Sequence, residues 1–351
     1  MDQLHRLNYI GSKYQLLGWL DENILAATKW KSFERKSVAD LFAGTGIVSY
    51  HFRNYKCQVS TNDAELYSFI IAKALTCSVY TQTCETLIQS IQAQLEAGEH
   101  SQTAGFITKN YSPYEESERM FFTLDNARRI DFVRTRIEEI RSDVTDDEYS
   151  FILASLLLSA DAVSNVPAVY GCYLKNFKAK AQKNLSLKPI HINKDTPVSG
   201  SSAFNSDVLS EDFLQNIRAD MVYLDPPYNN RQYSKNYFPL NMIALTPAQQ
   251  DAELPLKGKT GIPESCFLSK FCKKGSSVED AFNTLFKNIR TEWIFVSYSS
   301  DGIVSKEKMI ELMSQYGTVS VCQRQYKKFK SFEYNSDTPL QEFLFCLHKP
   351  I

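Results

Sequence analysis

The chain has 351 residues, of which 43% are hydrophobic and 23% are charged. This composition is typical of a globular protein and excludes a disordered chain. Its length allows one large domain or two. The 39 basic and 40 acidic residues give a net charge of −1, so the whole chain lacks the positive charge that marks many nucleic-acid-binding domains.

No apolar stretch is long enough to span a bilayer, and no secretory signal pattern is visible at the start. We therefore expect a cytoplasmic protein with no membrane partner. The eight cysteines are scattered without a Cys-Xaa-Xaa-Cys pair, which predicts reduced thiols. Cys266 and Cys272 have no further paired His or Cys near them, so the sequence predicts no metal site.

The first informative segment, residues 8–17, precedes a helical pattern. Gly11 and Ser12 can form a turn, and Lys13 places a cation near the start of the helix. A positive charge is unfavourable there. Lys13 is therefore either a solvated side chain or the partner of an anion such as a carboxylate.

Residues 37–48 indicate a strand, a glycine turn and a helix. Gly44 and Gly46 allow the backbone to approach a ligand closely, and the helix that follows would offer its N-terminal N–H groups. The third glycine of the dinucleotide fingerprint is absent and no phosphate-binding lysine follows. A tight turn between strand and helix explains the pattern equally well.

A second predicted strand, residues 59–62, ends at Asp63. A carboxylate at that place suits ribose hydroxyls, although it also suits the N-cap of the next helix. Residues 66–95 have a helical pattern, and residues 98–113 form a polar connector. Residues 115–174 are predicted to be mostly helical, with arginines that either contact DNA or pair with acidic neighbours: Arg128, Arg129, Arg134 and Arg136.

A basic stretch without acidic residues runs from residue 173 to residue 194, in a region predicted to be looped. Tyr173 and Phe177 lie among its lysines, which are Lys175, Lys178, Lys180, Lys183, Lys188 and Lys194. Two further basic groups lie at residues 257–274 and 324–330. Lysine-rich stretches are usually solvated faces, but three clusters favour contact with phosphates.

The tetrapeptide Asp225-Pro226-Pro227-Tyr228 follows an apolar stretch, residues 221–224, that predicts a buried strand. The prolines leave carbonyl groups free to accept hydrogen bonds, Asp225 adds a carboxylate, and Tyr228 adds a flat ring. These groups suit a planar ring that carries an exocyclic amine. The alternative is an acidic turn. Further strands are predicted at 201–205, 293–298 and 343–348, with a candidate mobile loop at 239–272.

In this order, the three motifs resemble the DNA adenine-N6 methyltransferases of the D12, or Dam-like, class. The resemblance covers nearly the whole chain and is most specific in residues 225–237 and 169–175. It implies an α/β fold with a doubly wound, Rossmann-like methyltransferase sheet. Residues 1–98 and 201–351 would form this catalytic domain, and residues 99–200 would be a mostly helical insertion for target recognition.

The resemblance also implies S-adenosyl-L-methionine as cofactor. Gly44, Gly46 and Asp63 would contact it, as would Asp225. Tyr9 and Lys13 match positions near its methionine end, and Asp207 matches the position that binds its adenine amine.

The target adenine would lie in a site formed by the tetrapeptide. Asp225 and Pro226 would accept the N6 hydrogens, Tyr228 would stack on the base, and Pro227 completes the motif. Asn229 and Tyr237 either support this pocket or belong to the core. The DNA contacts expected from the basic stretch are Tyr173, Lys175, Lys178, Lys180 and Lys183.

The expected function is site-specific methylation of adenine N6 in double-stranded DNA by a bacterial or phage enzyme. Such an enzyme is either solitary or part of a restriction–modification system with a cognate endonuclease. Two alternatives remain open from the residues: an RNA methyltransferase that acts on guanine N2, and a non-catalytic DNA specificity subunit.

Overall fold

The computed structural model describes residues 7, 9–193, 196, 200–326 and 340–350. The chain divides into two compact units. The sheet unit comprises Gly11–Ala64, Asp195–Gln232 and Leu268–Ile351, and the helical unit comprises Met1–Ile10, Glu65–Lys194 and Tyr233–Phe267. Asn8, Lys194, Lys327, Lys328 and Lys330 lie outside the described residues.

Within the described residues, the sheet unit contains a seven-stranded sheet with the order β3-β2-β1-β4-β5-β7-β6. The strands are β1 (Ser37–Asp40), β2 (Gln58–Asn62), β3 (Ser202–Phe204), β4 (Met221–Leu224), β5 (Trp293–Ser299), β6 (Thr318–Tyr326) and β7 (Leu340–His348). Strands β1 to β5 are parallel, whereas β7 is antiparallel to both β5 and β6. The expected doubly wound α/β sheet is thus confirmed.

The strand order places a topological switch point between β1 and β4. The chain leaves β1 for β2 and β3 on one side, then returns to β4 on the other side of β1. In open α/β sheets, ligands bind at the carboxyl ends of the strands at such a point. The loops after Asp40 and after Leu224 both begin there, because Asp40 pairs in register with Tyr223.

The sequence specifies these central strands through burial. All four residues of β4 are buried, as are three of the four in β1, which is typical of parallel strands covered on both faces. The helices of this unit are α1 (Leu17–Thr28), α2 (Ile47–Asn54), α8 (Glu211–Asn216), α11 (Ser276–Asn288) and α12 (Lys306–Ser314). One apolar core includes residues of β4, β5, α11 and α12.

The helical unit is arranged around one long buried helix. Its helices are α3 (Leu66–Thr76), α4 (Gln82–Glu96), α5 (Phe106–Tyr111), α6 (Leu124–Glu139), α7 (Asp146–Ala162), α9 (Tyr233–Ala244) and α10 (Pro247–Asp251). Every residue of α7 from Ser150 to Asp161 is buried, and α7 contacts α3, α4, α6 and α9. A capping box of Thr145 and Glu148 fixes its start.

The structure corrects several predicted elements. The pattern at 66–95 forms two helices, α3 and α4, and the polar connector at 98–113 contains the buried helix α5. The segment predicted as a loop at 239–272 begins inside α9, where Pro239 lies within the helix. Strand β6 was not predicted. None of the described helices is long and apolar enough to cross a membrane.

The division into compact units also differs from the predicted insertion at 99–200. The helical unit already begins at Glu65, because α3 packs along α7, and it includes 233–267, because α9 contacts α3, α5, α6 and α7. Target recognition by residues 99–200 stays a prediction.

Asn62 fixes the loops at the carboxyl ends of β1, β2 and β3. Its buried side chain donates to the carbonyls of Leu41 (3.3 Å) and Ser206 (3.2 Å) and accepts from the N–H of Ser206 (3.1 Å). A buried amide whose hydrogen bonds are satisfied favours one arrangement of the segments that it connects. Asn62 therefore holds the segment after β3 beside the segment after β1.

We expect Asn62→Ala to destabilise the sheet unit, because about 1–3 kcal/mol is lost for a buried polar group left unpaired. Urea denaturation measures this effect. The matched control is Asn216→Ala, which removes an exposed amide bonded to the carbonyl of Asp212 and should change stability by less than about 0.5 kcal/mol. Equal losses in the two variants would contradict the role assigned to Asn62.

Candidate active site

The loops after β1 and β4 bring several predicted site residues to one edge of the sheet. Asp225 follows β4 directly, and Gly44 and Gly46 follow β1. The N–H of Leu41 donates to the carbonyl of Tyr223 (3.2 Å), which continues the pairing of the two strands past Asp40. The tetrapeptide and the glycine turn are therefore neighbours, although they are far apart in sequence.

Lys13 binds Asp225 inside the sheet unit. Its Nζ lies 2.7 Å from Oδ1 of Asp225 and 3.4 Å from Oε1 of Glu342, and the side chain of Lys13 is only 5% exposed. Burial alone would lower the pKa of Lys13, but the two carboxylates outweigh it and raise this pKa well above its usual value. Lys13 is therefore a charged, paired lysine, and the solvated alternative is wrong.

Asp225 occupies a mixed environment. Burial raises its pKa to about 6, the positive charge of Lys13 opposes that rise, and the negative charge of Glu342 adds to it. Its side chain remains 19% exposed. Asp225 is thus a carboxylate that is ionised above about pH 6 and is still accessible from outside the protein.

Tyr228 is partly buried and its ring packs against the core of the sheet unit. The N–H of Ile303 donates to the carbonyl of Tyr228 at 2.8 Å, which fixes the backbone of the tetrapeptide. Burial raises the pKa of Tyr228 to about 12, so its phenol stays neutral in any ordinary buffer. Pro226 is buried and Pro227 partly buried beside it.

The glycine turn depends on its glycines. Gly44 and Gly46 have φ angles of 53° and 71°, which favour glycine. The N–H of Gly44 donates to Oδ2 of Asp63 at 2.8 Å. The side chain of Asp63 is therefore bonded to the backbone of the turn. The N-cap position of α3 is Glu65 and not Asp63, and Glu65 makes no side-chain cap hydrogen bond.

Asp207 lies at the end of β3 and is exposed. Its Oδ1 accepts from the N–H of Leu209 (3.0 Å), and the neighbouring Asn205 donates to the carbonyl of Asp63 (2.8 Å). The sheet thereby brings Gly44, Asp63 and Asp207 to adjacent strand ends.

Asp40 is a candidate residue that the motif reading missed. It is buried at the end of β1, and its Oδ2 accepts from the hydroxyl of Ser49 (2.6 Å). Its Oδ1 is bonded to no group in the described part of the chain. Burial, together with the charges of Asp225 and Asp63, raises the pKa of Asp40 to about 7. The signal in the sequence that could have identified Asp40 is its position at the end of a predicted strand, before the glycine turn.

Tyr9 and Tyr237 form part of the helical unit. Their rings stack with centroids 5.0 Å apart, and the hydroxyl of Tyr237 accepts from the N–H of Ile10 (3.0 Å). Tyr237 is fully buried, which favours the packing alternative for it. In the sheet unit, Asn229 accepts from the N–H of Arg231 (2.9 Å) and so stabilises the turn after the tetrapeptide.

The lysines of the basic stretch differ in environment. Lys178 donates to the carbonyl of Val166 (2.8 Å), and Lys180 donates to the hydroxyl of Ser164 (3.3 Å) near the end of α7. Burial lowers the pKa of Lys180. Lys180 therefore lies at the carboxyl end of α7, where a cation is favourable, and Lys178 is bonded to the loop that follows α7. Three others are exposed: Lys175, Lys183 and Lys188. The ring of Tyr173 lies edge-on against Phe121, with centroids 5.1 Å apart.

The arginines of α6 are mostly paired within the protein. Arg129 binds Asp125 (2.7 Å), Arg134 binds Glu138 (2.5 Å), and Arg136 binds Glu139. Arg134 also donates to the carbonyl of Leu245 (2.9 Å). Of the two predicted alternatives, DNA contact and pairing with acidic neighbours, the salt bridges favour the second for these three residues.

The sheet and the loops at its switch point have the Rossmann-like architecture expected of an α/β methyltransferase. Residues 9–312 match the family model described as D12 class N6 adenine-specific DNA methyltransferase. The chain belongs to this family, and the protein is an adenine-specific DNA methyltransferase.

Named relatives agree with this assignment. The type II methyltransferase M.CviAII of Paramecium bursaria Chlorella virus 1 is 38% identical over 98% of this chain and 99% of its own length. The type II methyltransferase M.NlaIII of Neisseria lactamica is 37% identical over 93% of each chain. M.FokI of Planomicrobium okeanokoites is 32% identical over 98% of this chain and 53% of its own.

Among solved structures, the rRNA methyltransferase AviRa from Streptomyces viridochromogenes is similar at a TM-score of 0.34 and 10% identity, over 97% of this chain and 86% of that chain. This likeness is too distant to support the RNA alternative. The family match favours DNA adenine over both alternatives left open by the residues.

The buried carboxyl of Asp40 makes stability depend on pH. Its folded pKa of about 7 lies above the ~3.9 of an unfolded aspartate. Between these values the folded protein holds a proton that the unfolded chain has lost. The resulting stabilisation is present at low pH and disappears as pH rises to about 7.

As pH rises from about 4 to about 7, we therefore expect the free energy of unfolding to fall less in Asp40→Asn than in the natural protein. The slopes of the two pH curves should differ by at most ~1.4 kcal/mol per pH unit. Denaturant unfolding at several pH values, without cofactor, measures this difference. The exposed Asp280→Asn serves as control. Parallel pH curves for Asp40→Asn and the natural protein would show that Asp40 does not titrate in this range.

Proposed function

We propose that the enzyme transfers the methyl group of S-adenosyl-L-methionine to N6 of an adenine turned out of a specific double-stranded DNA site. The observation that carries this proposal is the Asp225 carboxylate, held by Lys13 at the switch point beside the glycine turn. Chemistry at N6 requires the base to leave the stack, at a cost of a few kcal/mol.

The residues near the glycine turn fit this cofactor. Gly44 and Gly46 allow close approach of the backbone, and Asp63 and Asp207 offer carboxylates for ribose hydroxyls and the adenine amine. Among the described groups, Oδ1 of Asp40 is a buried acceptor without a donor, which suits the cofactor's ammonium. When bound, S-adenosylmethionine supplies an activated methyl group on a sulfonium.

The structure bears differently on the expected roles of Lys13 and Tyr9. Lys13 has two carboxylate partners within the protein, which favours a role in holding Asp225 over the expected role at the methionine carboxylate. Tyr9 keeps its expected role near the methionine end as a proposal, which rests on the resemblance of its motif.

In the proposed reaction, Asp225 and the carbonyl of Pro226 accept the two hydrogens of the adenine amine. Both bonds turn the lone pair of N6 out of the ring and towards the methyl donor. Correct positioning does most of the work, because the donor is already activated. The amine becomes acidic only once methylated, so Asp225 need not remove a proton beforehand.

Tyr228 would stack on the extruded base and offset part of the cost of extrusion, since base–aromatic stacking contributes ~1–3 kcal/mol. A purine offers the ring more stacking area than a pyrimidine. The larger stacking area therefore favours adenine over cytosine as the target base of the tetrapeptide headed by Asp225.

DNA contact is assigned to the exposed members of the basic stretch. Lys175, Lys183 and Lys188 are exposed and have no acidic residue near them in sequence, as phosphate contacts require. Lys178, Lys180 and Tyr173 have partners within the helical unit, so their expected contacts with DNA are secondary. Since relatives are named as type II methyltransferases, an endonuclease of the same site specificity is the proposed partner.

We expect Asp225→Ala to abolish turnover, because the base then loses its anionic acceptor. Tyr228→Ala should lower turnover roughly 5- to 150-fold, which corresponds to the loss of ~1–3 kcal/mol of stacking. Tyr228→Phe is the matched control and should be nearly fully active, because stacking needs the ring and not the hydroxyl.

Nucleoside mass spectrometry of duplex DNA treated with S-adenosylmethionine identifies the product, and methylation-sensitive sequencing identifies the site. N6-methyladenine is the expected product. N4-methylcytosine as main product, or an active Asp225→Ala enzyme, would refute the proposed chemistry.

For the basic stretch, we expect the combined change of Lys175, Lys183 and Lys188 to Gln to weaken DNA binding. The slope of log affinity against log salt should fall by roughly one unit per lost phosphate contact. The paired change of Lys178 and Lys180 to Gln should instead lower the melting temperature and leave the slope nearly the same. Fluorescence anisotropy at several salt concentrations separates the two sets, and a slope that depends only on Lys178 and Lys180 would reverse the assignment.

A further inference from the structure

Glu342 carries a buried carboxylate that the family match does not include. It lies on β7, beyond residue 312 where the match to the family model ends. Its side chain is only 8% exposed. A buried charge is costly unless it is paired and hydrogen-bonded, so the partners of Glu342 indicate what it does.

The two partners that Glu342 has among the described residues connect it to the candidate active site. Ser297, on the neighbouring strand β5, donates its hydroxyl to Oε1 of Glu342 at 2.6 Å. The same Oε1 lies 3.4 Å from Nζ of Lys13, which also binds Asp225 at 2.7 Å and donates to the carbonyl of Gly11 at 3.2 Å. Glu342 pairs in register with Ser299, so Ser297 is its diagonal neighbour on β5.

One ammonium is therefore shared by two carboxylates. If Lys13 had Asp225 as its sole anionic partner, its charge would neutralise the acceptor on which the amine of the base depends. Because Glu342 interacts with the same ammonium, Lys13 neutralises Asp225 less completely. It also gives the flexible lysine side chain a third fixed contact, beside Asp225 and the carbonyl of Gly11, which limits the directions in which Nζ can approach Asp225.

We propose that Glu342 is a positioning residue for methyl transfer: through Lys13, it orients the Asp225 carboxylate and keeps it a strong acceptor for the adenine amine. This inference rests on the proposed role of Asp225. Glu342 itself does not touch the substrate and acts only through Lys13.

The charged and titratable groups around Asp225 predict how the pH dependence responds. They are Lys13 and Glu342, with Asp40 at the end of β1 and Tyr223 and Tyr228 on either side in sequence. On β6, Arg324 lies opposite Glu342 in register and is exposed. Because Glu342 raises the pKa of Asp225, removing its charge lowers that pKa.

The test is Glu342→Gln, which keeps the shape and the acceptor for Ser297 but removes the charge. We expect kcat to fall by as much as ~100-fold, as positioning losses do, with KM for DNA and for S-adenosylmethionine within about twofold of the natural values. The acid limb of the kcat–pH profile, expected near the Asp225 pKa of about 6, should move to lower pH.

Two variants serve as controls. Glu342→Asp keeps the charge, so its acid limb should stay nearer to that of the natural enzyme. Ser297→Ala removes the hydroxyl bonded to Glu342 and should lower kcat less than Glu342→Gln. If Glu342→Gln does not fold, as judged by circular dichroism, the kcat of Ser297→Ala decides, and a natural kcat would overturn the inference.

An unchanged kcat in Glu342→Gln, or a lower kcat with an unmoved acid limb, would also overturn it, because a merely structural residue would leave the limb in place. Asp225→Asn distinguishes a failure of the role proposed for Asp225 from a failure of the role proposed for Glu342. If Asp225→Asn retains full turnover, the proposed role of Asp225 fails. If it is inactive while Glu342→Gln behaves like the natural enzyme, only the role of Glu342 fails.

Discussion

The contact between Lys13 and Asp225 is the constraint on which the rest of the site depends. Removing both charges from water costs several kcal/mol per ion, and their attraction offsets this only if the geometry is good and further groups assist. The structure provides that assistance. A short 3₁₀ turn holds Lys13 near the start of α1, β4 fixes Asp225, and β7 contributes Glu342 with its own bond from Ser297.

The strand order then gathers the remaining site residues without any local sequence connection. Because β1 lies between β2 and β4, the glycine turn has Asp63 on one side and Asp225 on the other. Asn62 extends this arrangement to the segment after β3. The resulting edge is rich in carboxylates, and mutual repulsion contributes to the raised pKa of Asp40.

Much of this was predictable from sequence, and the failures have physical causes. Apolar runs predicted β1, β4 and β5, and short motifs predicted Asp225 and the glycine turn, because those features are local. Glu342 was not predictable, since its partners are distant in sequence. The sequence could not separate Lys178 and Lys180 from the exposed lysines for the same reason: it shows a cationic run, but not which ammonium groups lie against backbone carbonyls.

The carboxylate-rich edge has a consequence for how the proposed cofactor is selected. S-adenosylmethionine carries a positive sulfonium and a positive ammonium, whereas its demethylated product keeps only the ammonium. Asp40 and Asp225 both have pKa values raised by burial and by neighbouring acids, so each gains stability from a nearby cation. Electrostatics alone would thus favour the methylated form over the product, because an uncompensated buried carboxylate costs more than a compensated one. The ammonium proposed for Asp40 is common to both forms, so the distinction between substrate and product rests on the sulfonium and the negative charge of the whole edge.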